Sequence, residues 1–134
     1  MEQKAVIILC DDLPTGLKAN IAAVLGMSLG RYQPNLVGPE ALTVDGTSLP
    51  GITTIPVPIL TTDQMGIDEI FAVSRGELEL VAPFGTAALA TKNYDDYTRK
   101  LATLADAEQG TKGLLLLGDK KSVNKIVGQL PLLR

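Results

Sequence analysis

Residues 4–31 read KAVIILCDDLPTGLKANIAAVLGMSLGR, and this stretch decides the fold. Its first part, residues 5–10, is continuously apolar, which is typical of a strand buried on both faces of a sheet. The polar and turn-forming residues 11–16 then end the strand. The following apolar residues predict a helix from about residue 16 to residue 29, with Thr15 as N-cap and Gly30 at the exit.

This first helix is apolar on nearly all sides. Its apolar residues are Leu17, Ala19, Ile21, Ala22, Val24, Leu25, Met27 and Leu29. A helix of this composition is expected to be covered on more than one side. Because the sheet can cover only one side, the other side predicts a further packed element or a second subunit, and we expect a homodimer.

The polar residues after the first strand mark the candidate site. In an open α/β sheet, ligands bind in the crevice beyond the C-terminal end of a central strand. The residues expected there are Asp11, Asp12, Thr15, Lys18 and Asn20.

The rest of the chain alternates between strand and helix signals. Asp45-Gly46 predicts a hairpin turn between residues 41–44 and 47–49. Residues 53–60 are β-rich but contain Pro56 and Pro58, which favours an edge strand. The remaining predicted elements are helices over residues 62–75 and 94–105, strands over 77–84 and 113–117, a helix capped by Asp119 and ended by Gly128, and a strand or extended arm over 130–133.

These elements predict an α/β protein with a mixed sheet of about four main strands flanked by helices. The chain has 134 residues, enough for a single domain over residues 1–134 with one aliphatic core. There is no signal peptide pattern, and the first apolar run is too short for one. One cysteine, Cys10, excludes an intramolecular disulfide and favours a reducing compartment, so we expect a cytoplasmic protein.

Composition also restricts the chemistry. The absence of histidine excludes the commonest general base and the usual zinc sites. Residues 1–109 have 7 basic and 14 acidic side chains, a net charge of −7, whereas residues 110–134 sum to +4. A nucleic-acid footprint over the whole chain is therefore absent, although a local basic patch stays open. We predict no cofactor, no metal and no membrane contact.

Two ends of the chain resemble a known family. The segment DLPTGLKAN, residues 12–20, and the closing segment GLLLLGDKKSVNKIVGQLPLLR, residues 113–134, are similar to the archaeal and eukaryotic type of peptidyl-tRNA hydrolase. A more specific resemblance, which extends over nearly the whole chain, is to a bacterial family of unknown function thought to share that hydrolase fold. It is carried by DLPTGLKAN together with residues 36–46 (LVGPEALTVDG), 54–60 (TIPVPIL), 94–97 (YDDY) and 120–134.

The resemblance implies the type 2 peptidyl-tRNA hydrolase fold but not the hydrolase chemistry. The hydrolases have a lysine directly after the helix-opening glycine, whereas Gly16 is followed by Leu17 and the lysine comes one residue later, as Lys18. They also have a histidine near the positions of Ala23 and Val24. Their Asp-Ala-Gly-Arg-Thr segment is replaced here by residues 84–97, FGTAALATKNYDDY.

The candidate catalytic residues are Asp12 and Lys18, each as a general base. For the aspartates, the alternative is turn chemistry with helix-dipole stabilisation of roughly 0.3–1 kcal/mol. For Lys18 it is a side chain that extends outward to solvent. We expect Cys10 to be a small core residue. The candidate ligand-binding residues are Asp11, Thr15, Gly16, Asn20, Lys121 and Asn124.

These candidate ligand-binding residues can also have purely structural roles. Thr15 and Gly16 can serve only to begin the helix, and Lys121 and Asn124 can lie on a solvated basic face. Asn20 is expected to be a buried polar side chain that needs partners in the crevice.

Three functions follow from these residues. The first is a small-ligand-binding or regulatory domain that uses the crevice. The second is a histidine-free hydrolase or transferase. The third is a tRNA- or RNA-binding relative of the hydrolase, which requires Lys120, Lys121 and Lys125 to face the crevice. The acidic chain and its few aromatic residues favour the third function least.

Overall fold

A four-stranded sheet forms the centre of the molecule, which we describe from a computed structural model covering residues 2–134. The strands of the sheet are β1 (Gln3–Cys10), β4 (Ile59–Thr62), β5 (Leu80–Phe84) and β6 (Gly113–Asp119), and two short strands, β2 (Ala41–Leu42) and β3 (Ser48–Leu49), form a separate hairpin. The helices are α1 (Thr15–Tyr32), α2 (Gln64–Ser74), α3 (Thr86–Leu89), α4 (Tyr94–Leu101) and α5 (Lys120–Val127).

The strand order is β4-β1-β6-β5, and the sheet is mixed. β1 pairs with β4 in parallel and with β6 in antiparallel orientation, and β5 is antiparallel to β6. β1, β4 and β5 therefore all end at one edge of the sheet, which we call the carboxyl edge, and β6 begins there. The predicted α/β class and mixed sheet of about four strands are confirmed.

Helices cover both faces of the sheet. The odd-numbered residues of β1, such as Ile7, pack with Ile21, Leu25 and Leu29 of α1. Even-numbered residues such as Ile8 pack in a second core with α2 and α5, which contribute Ile67, Phe71, Val123 and Val127. This two-sided burial explains why β1 is continuously apolar rather than alternating.

The prediction of an edge strand over residues 53–60 is only partly right: β4 is an edge strand of the sheet, but it begins at Ile59, and residues 54–58 are not in a strand. Pro58 still contributes its carbonyl, which accepts a hydrogen bond from the Ile7 N–H at 3.0 Å. The predicted extended segment at residues 130–133 covers the outer side of β4. There the Thr61 N–H donates to the Pro131 carbonyl at 3.0 Å, and Leu60 forms a β-bridge with Leu132. The hairpin turn at Asp45-Gly46 is also confirmed, with Gly46 at a φ of 85°.

Two predictions about α1 are wrong at its ends. Pro14, not Thr15, is the N-cap residue, and it forms no side-chain cap. Its fixed φ and extended ψ already give the chain the geometry required before the first turn. The helix also continues through Gly30 to Tyr32, because Leu29 is buried in the core and one glycine lowers helix propensity by only about 1 kcal/mol.

Within the single chain one side of α1 is left exposed, and the second subunit expected to cover that side stays a prediction. Ile21, Leu25 and Leu29 are buried, but Met27 is 81% exposed and Val24 is 39% exposed.

Among the helices of residues 2–134, none has both the length and the apolar character needed to cross a membrane.

Candidate functional site

The carboxyl edge is fixed by backbone hydrogen bonds between neighbouring strand ends. The Cys10 N–H donates to the Lys112 carbonyl at 2.9 Å, and the Lys112 N–H donates to the Phe84 carbonyl at 2.8 Å. On the other side, the Asp11 N–H donates to the Thr62 carbonyl at 2.9 Å. The ends of β1, β4 and β5 and the start of β6 are thus held in a fixed arrangement.

Four polar side chains meet at this edge, and we call them the carboxyl-edge cluster: Cys10, Asp12, Gln64 and Lys112. The Lys112 Nζ donates to the Gln64 Oε1 at 2.6 Å and lies 3.8 Å from the Asp12 Oδ2. The Lys112 side chain is 20% exposed, whereas that of Asp12 is 59% exposed. The cluster thus presents a mostly buried cation beside a carboxylate that is open to solvent.

Gln64 orients the cluster from the start of α2. The helix begins here because Asp63 is its N-cap, accepting a hydrogen bond from the Gly66 N–H at 2.7 Å. The Gln64 Nε2 donates to the Thr111 carbonyl at 2.7 Å and to the Asp68 Oδ1 at 3.2 Å. Because both amide hydrogens are used in this way, the Oε1 atom is left to accept from Lys112.

Cys10 is the buried member of the cluster. It has no exposed surface, and its Sγ lies 3.5 Å from the Gln64 Oε1. Burial, together with hydrogen bonding to the Asp12 carboxylate, raises the pKa of the thiol above its ordinary value. Hydrogen bonding to Cys10, together with the charge of Lys112, lowers the pKa of Asp12. At neutral pH the site therefore contains a protonated thiol and an ionised carboxylate.

The predicted crevice residues lie around the cluster in different ways. Asp12 belongs to it, and Asp11 is exposed at the same edge. Thr15 and Gly16 are exposed in the first turn of α1, and Lys18 is half-buried in the next turn. Their proposed roles in binding or catalysis stay predictions.

Asn20 does not meet the expectation made for it. The prediction of a buried amide that needs partners is wrong, because Asn20 is exposed on α1. The buried side of the helix at this point is formed by Ile21 instead, with no exposed surface. A one-residue step on a helix rotates the side chain by about 100°, which is enough to separate the two environments.

Lys121 and Asn124 lie away from the carboxyl edge. β6 is antiparallel to β1, so its last residue, Asp119, pairs with Gln3 at the start of β1. The helix α5 begins at this opposite edge, where the Asn124 Oδ1 accepts a hydrogen bond from the Lys4 Nζ at 2.6 Å. The RNA-binding hypothesis requires Lys120, Lys121 and Lys125 to face the crevice. Lys120 and Lys121 begin α5 at the opposite edge and do not meet this condition, whereas Lys125 lines a groove together with Thr62 and Gly66.

Gln64 and Lys112 were not among the predicted site residues. Both residues lie next to a strand end, and knowledge of the strand directions would have placed both at the carboxyl edge. Gln64 closely follows the parallel strand β4, and Lys112 directly precedes β6. Because β6 is antiparallel, the residue before it reaches the same edge as the residues after β1. Among residues 2–134, no three acidic or cysteine side chains come close enough together to hold a metal ion.

Comparison with known proteins supports the fold and identifies the family. The solved structure of a protein of unknown function, Atu0240 from Agrobacterium tumefaciens strain C58, matches 100% of this chain and 99% of its own length, with a TM-score of 0.90 and 21% sequence identity. At this identity the likeness concerns the fold alone. No curated protein has significant sequence similarity to this chain. The family model described as protein of unknown function (DUF2000) matches residues 3–134, and the chain therefore belongs to the DUF2000 family.

Proposed function

We propose that this protein is a binding domain for a small polar molecule, which it holds at the carboxyl-edge cluster. The observation that carries the proposal is the position of the Lys112 ammonium, 2.6 Å from the Gln64 Oε1 and 3.8 Å from the Asp12 Oδ2. Only 20% of the Lys112 side chain is exposed, so its ammonium group is held at the edge by its neighbours and does not extend freely into solvent. The distance between this ammonium group and the Asp12 Oδ2, 3.8 Å, is long for an ion pair.

The two charges define the class of ligand. A carboxylate or carbonyl oxygen of the ligand would accept from Lys112, because an ammonium group has three donors and Gln64 takes only one of them at short range. A ligand N–H would donate to Asp12, whose carboxylate is open to solvent. N-acyl amino acids combine a carboxylate, a carbonyl and an N–H within a few bonds, so they are suitable first probes.

Binding is favoured over catalysis by the protonation states. A cysteine nucleophile needs a thiolate, yet burial and hydrogen bonding to Asp12 raise the pKa of Cys10. A general base works best with a pKa near the working pH, whereas hydrogen bonding to Cys10 and the charge of Lys112 lower the pKa of Asp12. A hydrolase or transferase that uses Asp12 and Lys18 is therefore the second proposal, and an RNA-binding role is the least favoured.

The experiment is a thermal-shift screen of the purified protein with N-acetyl amino acids and nucleotides. A ligand that binds only the folded state stabilises it by about 2.7 kcal/mol at a hundredfold excess over the dissociation constant. We expect a hit whose shift is lost in Lys112→Met and in Asp12→Asn. Lys121→Met, which removes a lysine at the opposite edge, is the matched control and should keep the shift.

The proposal would be contradicted by a hit that keeps its full shift in Lys112→Met. A hit that depends on Lys121 instead would move the site to the opposite edge of the sheet. Failure of every probe in a screen that also contains a tRNA acceptor mimic would leave the carboxyl-edge cluster without support.

We further propose that the protein is cytoplasmic, forms a homodimer and shares the type 2 peptidyl-tRNA hydrolase fold. The free, buried thiol of Cys10 supports a reducing compartment. The similarity of residues 12–20 and 113–134 to that hydrolase supports the fold, and superposition on a solved hydrolase of this type would test it. Cell fractionation would test the compartment.

A further inference from the structure

The β2–β3 hairpin stands apart from the rest of the molecule. Residues 41–50 are all exposed, and the hairpin pairs only with itself among residues 2–134. Its base is anchored beside the end of α1, where the Gly38 N–H donates to the Ile52 carbonyl at 2.9 Å and the Thr54 N–H donates to the Leu36 carbonyl at 2.7 Å. We call residues 38–52 the arm.

The arm exposes large apolar side chains along its length. Leu42 is 73% exposed, Ile52 is 81% exposed, and Val44 next to the turn is fully exposed. A two-stranded hairpin on its own is at best marginally stable in water. An ordered arm with its apolar side chains in solvent therefore fits a segment that is covered by another surface.

A suitable surface lies on α1. A groove of about 380 Å³ runs along the helix, lined on the α1 side by the small residues Ala22, Ala23, Gly26 and Gly30 and elsewhere by apolar residues that include Val37 and Val57. A Cβ added at Gly26 or at Gly30 would meet no atom within 4 Å. The α1 side of the groove is therefore open to an incoming side chain, and Met27 lies beside it with 81% of its surface exposed.

The charges of the arm and of α1 are opposite. The arm has two acidic residues, Glu40 and Asp45, and no basic residue. Residues 15–32, which form α1, have two basic residues, Lys18 and Arg31, and no acidic residue. Complementary charges of this kind favour association of the two surfaces and disfavour association of either surface with itself.

From these observations we propose that two copies of this chain exchange arms, each arm seating in the α1 groove of the other copy. The arm does not fill the groove of its own chain: Leu36, Val37 and Thr53, which flank the arm, form one wall of that groove, while residues 41–50 extend away with their surface exposed. Because each copy has one arm and one groove, a twofold dimer closes with two identical contacts. The inference rests on the proposed homodimer and is independent of ligand binding at the carboxyl edge.

The test uses two variants that leave the core intact. Val44→Asp changes a fully exposed residue of the arm, and Gly26→Leu fills the groove while improving helix propensity by up to about 1 kcal/mol. We expect the wild type to be a dimer by sedimentation equilibrium, with each variant at least tenfold weaker in self-association. Met65→Asp, which places the same charge at a methionine that is 79% exposed on α2, is the matched control and should stay a dimer.

Mixing the two variants separates arm exchange from other dimers. The Val44→Asp chain keeps an intact groove and the Gly26→Leu chain an intact arm, so the mixture can form a heterodimer with one complete contact. At a total concentration between the dissociation constants of the wild type and of the variants, we expect the mixture to contain more dimer than either variant alone. A monomeric wild type, a fully dimeric Val44→Asp chain, or a mixture with no more dimer than either variant alone would each overturn the proposal. Ligand-induced thermal shifts in the Val44→Asp chain would show that a failed dimer test does not concern the proposed ligand site.

Discussion

Substitution of Gly113 by alanine tests the packing of α1 on the sheet. Gly113 is the first residue of β6 and lies directly beneath α1. A Cβ at this position would lie 2.4 Å from the Ile21 Cγ2 and 3.3 Å from the Leu25 Cδ1. Ile21 has no exposed surface, and a β-branched side chain in a helix is restricted to nearly one χ1 rotamer. The side chain cannot turn away, so the helix itself must move.

The expected cost follows from this overlap. Adding a methyl group to a well-packed core typically destabilises a protein by about 1–3 kcal/mol. For a chain of 134 residues this corresponds to a midpoint of thermal unfolding that is lower by roughly 3–10 °C. We expect the upper part of this range, because a separation of 2.4 Å is far below van der Waals contact between two carbons.

The assay is urea unfolding followed by circular dichroism at one protein concentration, with the midpoint and slope fitted together. Gly16→Ala is the matched control, because the same methyl group at the start of α1 meets no atom within 4 Å. This control should be as stable as the wild type or more stable by about 0.4–1 kcal/mol. If Gly113→Ala stays within 0.5 kcal/mol of the wild type, roughly the range of a surface substitution, the close packing of α1 against β6 is refuted.

Two further predictions concern single side chains. Because burial and hydrogen bonding to Asp12 raise the pKa of Cys10, we expect a disulfide reagent at pH 8 to modify the thiol far more slowly in the folded protein than in guanidinium chloride, and equal rates would contradict its burial. Asp119 accepts a hydrogen bond from the Ser122 N–H at 3.1 Å as N-cap of α5, and hydrogen bonding to Ser122 lowers the pKa of Asp119. A carboxyl group whose pKa is lower in the folded state stabilises the protein at a pH above its pKa in the unfolded state. Asp119→Ala should therefore be less stable than the wild type at pH 7. The difference in the free energy of unfolding should vanish as the pH falls below 3.8 and through the lowered pKa of Asp119. A difference that is independent of pH in urea unfolding would argue against an ionised cap.

The fold was largely predictable because its strongest signals are local. The uninterrupted apolar runs of β1 and β6 identify the two central strands, and Asp119 and Gly128 delimit α5. The ends of α1 were not predicted, because Pro14 can be the residue before a helix without forming a side-chain cap and Gly30 can lie inside one. A single-residue propensity of about 1 kcal/mol therefore does not decide where a helix of 18 residues begins or ends.

The candidate site was only partly predictable because it depends on strand direction. Asp12 follows β1, and the rule that ligands bind beyond the C-terminal ends of strands in open sheets predicts it as a site residue. Lys112 precedes its strand, and that position is a site position only if the strand runs antiparallel. Nothing in the apolar sequence GLLLL, residues 113–117, indicates a direction. The antiparallel direction of β6, which the sequence does not indicate, also places Lys121 and Asn124 at the opposite edge of the sheet.

The reversed strand β6 also explains why Lys112 is well suited to hold a ligand. In an all-parallel sheet the residues at the carboxyl edge lie on loops that leave the sheet, whereas Lys112 is bound on both sides by backbone hydrogen bonds to Phe84 and Cys10, at 2.8 and 2.9 Å. Its backbone is therefore part of the sheet, and the short contact with Gln64 fixes the ammonium group. A charged group held in this way loses little further conformational freedom when a ligand binds, which favours affinity. Gln64→Ala should accordingly weaken ligand binding without removing any charge, because the ammonium would then have to be ordered by the ligand itself.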